Sequence, residues 1–317
     1  MIAVLGAGSW GTALAWRLGA NAHPVTLWGR SQTAMASLQR TRVNADYLPD
    51  ARLPEPVTAT ADIGDLLGAR EVIIAAPSHA FDEMLDTVAH VMEPVGVAWA
   101  TKGFASGSGR LLHEVAQERL GATMPLAAIS GPTFAAEVAR DLPSAITIAA
   151  SSEVFSARLQ RLFHAPTFRA YTSDDLVGVQ IGGALKNVLA IAVGISDGLG
   201  FGANAKAALI ARGLAELMRV GAAYGASTET LMGLSGVGDL VLTCTDDQSR
   251  NRRFGLLLGA GASPAQAREQ LGVLVEGAVC AGEIERQAQQ RGLDLPIIGR
   301  VADVLAERMT ALDAVHL

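Results

Sequence analysis

Lysine is scarce in this chain. Of its 25 basic residues, 22 are arginine and three are lysine: Lys102, Lys186 and Lys206. A sequence that uses arginine nearly everywhere keeps lysine where a compact, titratable ammonium is needed, so all three are candidates for chemistry. Lys186 has the most telling surroundings. In Gly182-Gly183-Ala184-Leu185-Lys186-Asn187-Val188-Leu189-Ala190 an ammonium and the Asn187 amide lie in a helical pattern that is otherwise small and apolar. A cation there is costly unless paired, and burial or a second cation lowers its pKa toward the range useful for proton transfer. Gly182, Gly183 and Ala190 stand three or four positions away on the same face and leave room for a ligand.

Four further stretches carry polar or charged groups. Asp239, in Gly236-Val237-Gly238-Asp239-Leu240 with Thr243 following, is a lone acid in a glycine turn. It is suited to hold a substrate hydroxyl, to orient Lys186 or simply to cap a helix. Ser249-Arg250-Asn251-Arg252-Arg253 is the strongest basic cluster, and in an acidic chain it suits one small phosphate, the alternative being plain surface. Lys206, after the glycine-rich run 197–204, either lines the site or pairs with a carboxylate. Glu276 stands beside a glycine, with nothing local to give it a role.

The N-terminal stretch suggests a partner for this chemistry. The apolar run from Ile2 to Leu5 enters a complete G-x-G-x-x-G at Gly6, Gly8 and Gly11 and leaves into Thr12-Ala13-Leu14-Ala15. This is strand, turn and helix: the first glycine permits the turn, the second lets backbone approach a pyrophosphate, and the third lets the helix pack on the strand. Unpaired amides at the helix start then face the phosphates. A dinucleotide is therefore expected as cofactor. An NAD-preferring site places a carboxylate about 20 residues past the glycines, at the end of the second strand. Here that strand, Val25-Thr26-Leu27-Trp28, ends in Gly29-Arg30-Ser31. An arginine fork suits a 2′-phosphate, so NADPH is the expected cofactor, with NADH left open through Ser31.

The elements that position these groups follow from periodicity. Apolar segments at Val25 to Trp28, Val72 to Ala75, Val97 to Ala100, Leu126 to Ile129 and Ala145 to Ala150 alternate with helical patterns. That predicts an α/β fold, a doubly wound (Rossmann-type) and mostly parallel sheet, with ligands beyond the carboxyl ends of its strands. Lys102 lies at one such end. Past Tyr171 the texture turns helical, over Asp174 to Ile195, Ala205 to Tyr224 and Ala265 to Leu271, with glycine-rich connectors at Gly194 to Gly202 and Gly233 to Gly238. The expected division is a dinucleotide-binding domain over 1–172 and an all-helical substrate domain over 173–317. Two domains also suit 317 residues, a length beyond which one core rarely grows.

Bulk properties exclude several classes. The net charge of −6 offers no basic field for nucleic acid or an anionic membrane, and half of the residues are apolar, as in soluble globular chains. Cys244 and Cys280 form no disulfide framework or C-x-x-C, which suits the cytosol, and the histidines show no ligand spacing, so no metal is expected. The N-terminus reads as a buried strand and not as a signal peptide, and no apolar run is uninterrupted over a membrane span.

With these stretches assembled, the chain resembles the bacterial NAD(P)-dependent glycerol-3-phosphate dehydrogenases. The resemblance is carried by Gly6-Ala7-Gly8-Ser9-Trp10-Gly11-Thr12-Ala13-Leu14, Asn44-Ala45-Asp46-Tyr47-Leu48-Pro49, Thr101-Lys102-Gly103 and Ser130-Gly131-Pro132-Thr133-Phe134-Ala135-Ala136-Glu137-Val138. It continues through Leu185-Lys186-Asn187-Val188-Leu189-Ala190, Asn204-Ala205-Lys206, Gly238-Asp239-Leu240-Val241-Leu242-Thr243, Gln248-Ser249-Arg250-Asn251 and Val275-Glu276-Gly277, almost the full chain. It implies reversible reduction of dihydroxyacetone phosphate to sn-glycerol 3-phosphate in the cytoplasm, feeding phospholipid synthesis. It also implies that Ser9, Trp10, Arg30, Tyr47, Lys102, Ala135, Arg250, Leu274 and Glu276 contact the cofactor. Lys102, Gly131, Thr133, Lys186, Asp239, Ser249, Arg250 and Asn251 would contact the substrate. The family's proton acceptor falls on Lys186.

The expected mechanism has hydride reaching the central carbonyl carbon while Lys186 protonates its oxygen. Lys102 adds positive charge near the developing alkoxide, Asp239 positions Lys186 or a hydroxyl, and Arg250 with Asn251 grips the phosphate. The other readings are a two-domain 3-hydroxyacid or phosphogluconate dehydrogenase, whose substrates carry a carboxylate, and a redox-sensing module that binds NADPH without turnover. Partners beyond the small phosphate substrate are expected to be few: no nucleic acid, no stable membrane insertion, and a helical second domain offering a surface for a homodimer.

Overall fold

The computed structural model describes residues 1–272 and 274–315. The chain folds into two compact units, one of Met1–Thr101 with Leu112–Leu176, the other of Lys102–Leu111 with Val177–Leu317. The second unit thus takes in a short excursion, residues 102–111, that a single cut near 172 does not foresee.

The first unit is built on an eight-stranded sheet in the order Phe168–Ser173, Ser144–Ala150, Leu126–Ser130, Gly96–Trp99, Glu71–Ile74, Ile2–Leu5, Val25–Trp28, Val57–Thr60. Neighbours run parallel except Leu126–Ser130 against Ser144–Ala150, which are antiparallel. The four strands Ile2–Leu5, Val25–Trp28, Glu71–Ile74 and Gly96–Trp99 are buried at every residue. Helices cover both faces of such a sheet, and so its strands read as continuous apolar runs. Strand order reverses between Ile2–Leu5 and Glu71–Ile74, the place where an open α/β sheet receives its ligand. Three features were not read from the sequence. Val57–Thr60, Phe168–Ser173 and the antiparallel ribbon Val43–Asn44 with Leu48–Arg52 expose many of their side chains, and polar residues break their apolar pattern.

The second unit is helical and organised around Leu176–Gly198, a helix buried almost continuously from Gly178 to Ser196. It is long and apolar enough to cross a membrane, but 89% of its most apolar window is buried in protein, as befits a core helix. Around it lie Gly202–Tyr224, Thr228–Met232, Asp239–Thr245, Arg250–Gly259, Pro264–Leu271, Glu276–Arg291 and Pro296–Leu305. Phe104 and Leu111 of the excursion join their core.

The long helix does not stop at Ile195, and Gly194 is no connector. A β-carbon on Gly194 would lie 2.1 Å from the Arg252 carbonyl oxygen, and one on Gly255 would lie 2.1 Å from that of Ile191. Gly198 and Gly259 repeat the arrangement one turn on, with their missing β-carbons 2.3 Å from the carbonyl oxygens of Leu256 and Ile195. The glycines are therefore contact positions that let Leu176–Gly198 and Arg250–Gly259 cross backbone against backbone. The loss of helix propensity, about 1 kcal/mol for each glycine relative to alanine, is offset by close packing.

Candidate active site

The second unit gathers Lys102, Lys186, Asp239 and Thr243 around one carboxylate. Asp239 is completely buried, and its two oxygens face different ammonium groups: Oδ2 accepts from Lys102 Nζ at 2.6 Å and Oδ1 from Lys186 Nζ. Lys186 also donates to Thr243 Oγ1 at 2.9 Å, while that hydroxyl spends its own hydrogen on the Asp239 carbonyl oxygen at 2.6 Å. Two of the three ammonium hydrogens of Lys186 are thus committed, and the third has no acceptor among the described residues.

Local sequence explains the placement. Asp239 opens the helix Asp239–Thr245 directly after a π-helical turn, Leu234–Gly238. Such turns re-aim side chains and are frequent at functional sites. The turn packs on the long helix at Gly182, where a β-carbon would lie 2.3 Å from the Ser235 carbonyl oxygen. The space beside Lys186 that the small residue at 182 leaves is therefore taken by backbone. This corrects the expectation of a ligand at that position.

Electrostatics follow from the burial. Loss of solvent pulls the Lys186 pKa from 10.5 down to about 8, with Asp239 opposing the shift and Lys102 adding to it. For Asp239 burial favours the protonated form, but the two ammonium groups outweigh it and hold the carboxyl below its ordinary range. The result is an anion fixed between two ammonium groups, one of which has its pKa drawn down to about 8. Cys244, buried nearby, has its thiol pushed up to about 12 by the same loss of solvent and is no nucleophile.

A second cluster ties three helices together. Asn187 Nδ2 donates to Glu276 Oε2 at 3.3 Å, Asn251 Nδ2 to Asn187 Oδ1 at 2.9 Å, and the Gly277 amide to Asn251 Oδ1 at 2.9 Å. Asn251 keeps one amide hydrogen beyond this network. Ser249 caps Arg250–Gly259, its hydroxyl accepting from the Arg252 amide at 3.2 Å. Arg250, first residue of that helix, is exposed and carries no ion pair among the described residues. Arg252, by contrast, is clamped by Asp197 at 2.5 Å and by Asp247, and Lys206 reaches the same Asp197 oxygen at 3.0 Å. Lys206 thus takes the carboxylate pairing, and only part of the basic cluster is free to meet a phosphate. Leu274 is exposed, just before the helix that begins at Glu276.

The remaining candidates belong to the first unit. Gly6 has φ +115°, a left-handed backbone that favours glycine, and a β-carbon there would lie 2.8 Å from the Ala75 carbonyl oxygen. One on Gly11 would overlap the Gly6 carbonyl oxygen at 1.8 Å, whereas one on Gly8 would meet nothing within 4 Å. The middle glycine therefore borders open space. No side chain caps the helix Ser9–Ala20 that follows, and the buried Trp10 Nε1 has no hydrogen-bond partner among the described residues. Free amides, an unpartnered indole N–H and an open backbone approach all fit the pyrophosphate of a dinucleotide.

Arg30 is exposed at the end of its strand with no recorded ion pair, while Ser31 caps the next helix by accepting from the Ala34 amide at 3.3 Å. Tyr47 is 50% exposed at the tip of the ribbon. Gly131, at φ +150°, leads from the end of Leu126–Ser130 to Thr133, whose hydroxyl donates to the Gly131 carbonyl oxygen at 3.3 Å, and Ala135 opens a one-turn helix. Asn44 had no role in the sequence reading. Its Nδ2 donates to the Ala7 carbonyl oxygen at 3.0 Å and to Thr12 Oγ1 at 2.8 Å, pinning the ribbon to the glycine turn. The segment 44–49 carries part of the resemblance, but nothing in its residue types assigns Asn44 this contact.

Comparison with known proteins agrees along the whole length. A family model described as the N-terminus of NAD-dependent glycerol-3-phosphate dehydrogenase matches residues 1–156, and that of its C-terminus matches 175–316. Glycerol-3-phosphate dehydrogenase (NAD(P)+) of Methylococcus capsulatus is 52% identical over 318 residues, covering 99% of this chain and 95% of the relative. The enzyme of the same description from Xanthomonas oryzae is 51% identical over 311 residues, 98% of this chain and 91% of its own. The crystal structure of glycerol-3-phosphate dehydrogenase from Coxiella burnetii superposes with a TM-score of 0.96 at 44% identity, covering 99% of this chain and 96% of the other. With both halves matched at this level, the chain belongs to the NAD(P)-dependent glycerol-3-phosphate dehydrogenases.

Proposed function

We propose that Lys186 is the proton donor and acceptor in the interconversion of dihydroxyacetone phosphate and sn-glycerol 3-phosphate, and that the product supplies glycerophospholipid synthesis. The observation that carries this is the buried ammonium of Lys186, lowered to about 8 and left with one uncommitted hydrogen. When bound, the reduced nicotinamide supplies the hydride. Lys186 gives its free hydrogen to the carbonyl oxygen and, in the oxidative direction, takes it back as a neutral amine. Lys102 and Lys186 together place positive charge where the alkoxide develops, in surroundings dry enough to make it count. Asp239 fixes both ammonium groups and stays ionised throughout.

Around this centre, Arg250 with Ser249 and Asn251 holds the substrate phosphate, and that binding is spent on orientation. Gly131, Thr133, Asn187 and Thr243 complete the assigned substrate contacts. The cofactor contacts assigned to the first unit are Gly6, Gly8, Ser9, Trp10, Gly11, Tyr47 and Ala135, and those assigned to the second are Lys102, Arg250, Leu274 and Glu276. Arg30, with no acidic neighbour at the strand end, favours the 2′-phosphate and hence NADPH over NADH.

The test is an absorbance assay of NADPH with dihydroxyacetone phosphate beside a panel of 3-oxo acids. Rapid oxidation with the phosphate ketone alone supports the assignment. Preference for an oxo acid would transfer the chain to the carboxylate-specific dehydrogenases, and cofactor binding without turnover would leave Lys186, Asp239 and Arg250 without a task.

A further inference from the structure

The second unit also holds a pocket of about 270 Å³ that the reaction does not use, lined by the end of Leu176–Gly198, the first half of Gly202–Tyr224, the start of Pro296–Leu305 and, beside them, Ala314 and Val315. Its walls are mostly apolar, Ile195, Leu209 and Ile297 among them, with Ser196, Arg212 and Arg300 as the exceptions. Ser196 is 2% exposed, yet its hydroxyl has no hydrogen-bond partner among the described residues. A serine inside a helix ordinarily settles this by bonding to the carbonyl one turn back. Arg212 has no ion pair among the described residues, and Arg300 makes one hydrogen bond, from Nη1 to the Ala314 carbonyl oxygen at 3.2 Å. An apolar pocket, open to solvent on the side of Ala208 and Arg212, with an orphaned hydroxyl and two guanidinium groups lacking carboxylates is complementary to a molecule with a hydrocarbon tail and an anionic head.

We propose that this cavity binds a medium-chain anionic amphiphile. At about 270 Å³ it has room for a hydrocarbon tail of medium length. The tail occupies the apolar walls, and a carboxylate or phosphate head meets Arg212 and Arg300. Ser196 donates its unused hydrogen to an oxygen of the ligand. The inference does not depend on the proposed reaction, because none of these residues belongs to the catalytic constellation.

Calorimetric titration of the full chain tests it, with octanoate, octyl phosphate and 1-octanol as probes. Saturable binding of one or both anions, at least tenfold tighter than the alcohol, is expected, and the tighter anion identifies the head group. Arg212→Gln with Arg300→Gln should reduce the anions to the level of octanol while leaving basal activity unchanged. Ala208→Trp, which puts an indole into the chamber, should abolish binding. Octanol binding as tightly as octanoate, anion binding that survives Ala208→Trp, or no saturable binding by the wild-type chain would each overturn the proposal. So would sedimentation showing a dimer that Ala208→Trp dissociates while octanoate fails to bind, because the face would then be a self-association surface.

Discussion

Asp239 and Lys186, fifty-three residues apart in sequence, meet in a buried ion pair. One carboxylate oxygen holds Lys186, and the other holds Lys102. A buried ion pair is weak evidence for stability, since desolvation of both charges opposes their attraction. On the proposed function, the pair serves the proton transfer assigned to Lys186. Lys186→Ala should lower turnover by about 100-fold or more, in line with general acid contributions, with cofactor affinity unchanged in a fluorescence titration. Near-normal turnover would remove Lys186 from the proton step.

The pH dependence has a definite sign. Reduction needs the ammonium form of Lys186 and oxidation the neutral amine, so the reductive rate should fall, and the oxidative rate rise, as pH increases through about 8. Asp239 is the group that holds the proton on Lys186 against burial and the Lys102 charge. In Asp239→Asn the midpoint of both profiles should therefore move to lower pH, by about one unit or more. A midpoint that stays in place while turnover falls would reduce Asp239 to a scaffold residue.

How much of this was legible beforehand depended on burial. Lys186 stood out because an ammonium amid Gly182, Leu185 and Val188 has no apolar explanation, and the glycine turn at Gly6 because its spacing and its place after a strand are specific. Strands buried on both faces, such as Ile2–Leu5, declared themselves by continuous apolarity. The ribbon around Tyr47 and the strand Val57–Thr60 did not, since exposed positions interrupt their pattern. Arg252 could not be separated from Arg250 by sequence, because Asp247 is near both in the chain and the other half of the clamp, Asp197, comes from a different helix. Gly194 and Gly198 suggested a connector because glycine weakens helices. The helix continues through them because a neighbouring backbone fills the space where their side chains would be.

On the proposed function, the substrate phosphate is assigned to Arg250 and the cofactor 2′-phosphate to Arg30. Arg250→Ala should raise KM for dihydroxyacetone phosphate at least tenfold, since a charge-assisted contact contributes about 1.5–3 kcal/mol, and have less effect on a ketone without phosphate. An unchanged KM would refute the assigned grip. Arg30→Ala should narrow the ratio of kcat/KM for NADPH over NADH, measured side by side. If the ratio does not move, the 2′-phosphate is held elsewhere.

The helix crossing gives the last prediction. Arg250 stands at the start of Arg250–Gly259, and that helix is seated on Leu176–Gly198 through Gly255 and Gly259. A methyl group at 255 meets the Ile191 carbonyl oxygen at 2.1 Å, and backbone at both sides of the contact cannot yield as a side chain would. Gly255→Ala should therefore push the helices apart and cost about 1–3 kcal/mol in denaturant unfolding, the usual range for overpacking. Because the displaced helix carries Ser249, Arg250 and Asn251 at its start, KM for the phosphate substrate should rise as well, while the Lys186 titration near 8 stays in place. Gly261→Ala serves as the control: a β-carbon there meets nothing within 4 Å, although φ is +97°. It should destabilise through backbone strain alone and leave KM unchanged. Equal effects of the two substitutions on KM would show that the close crossing does not position the phosphate grip.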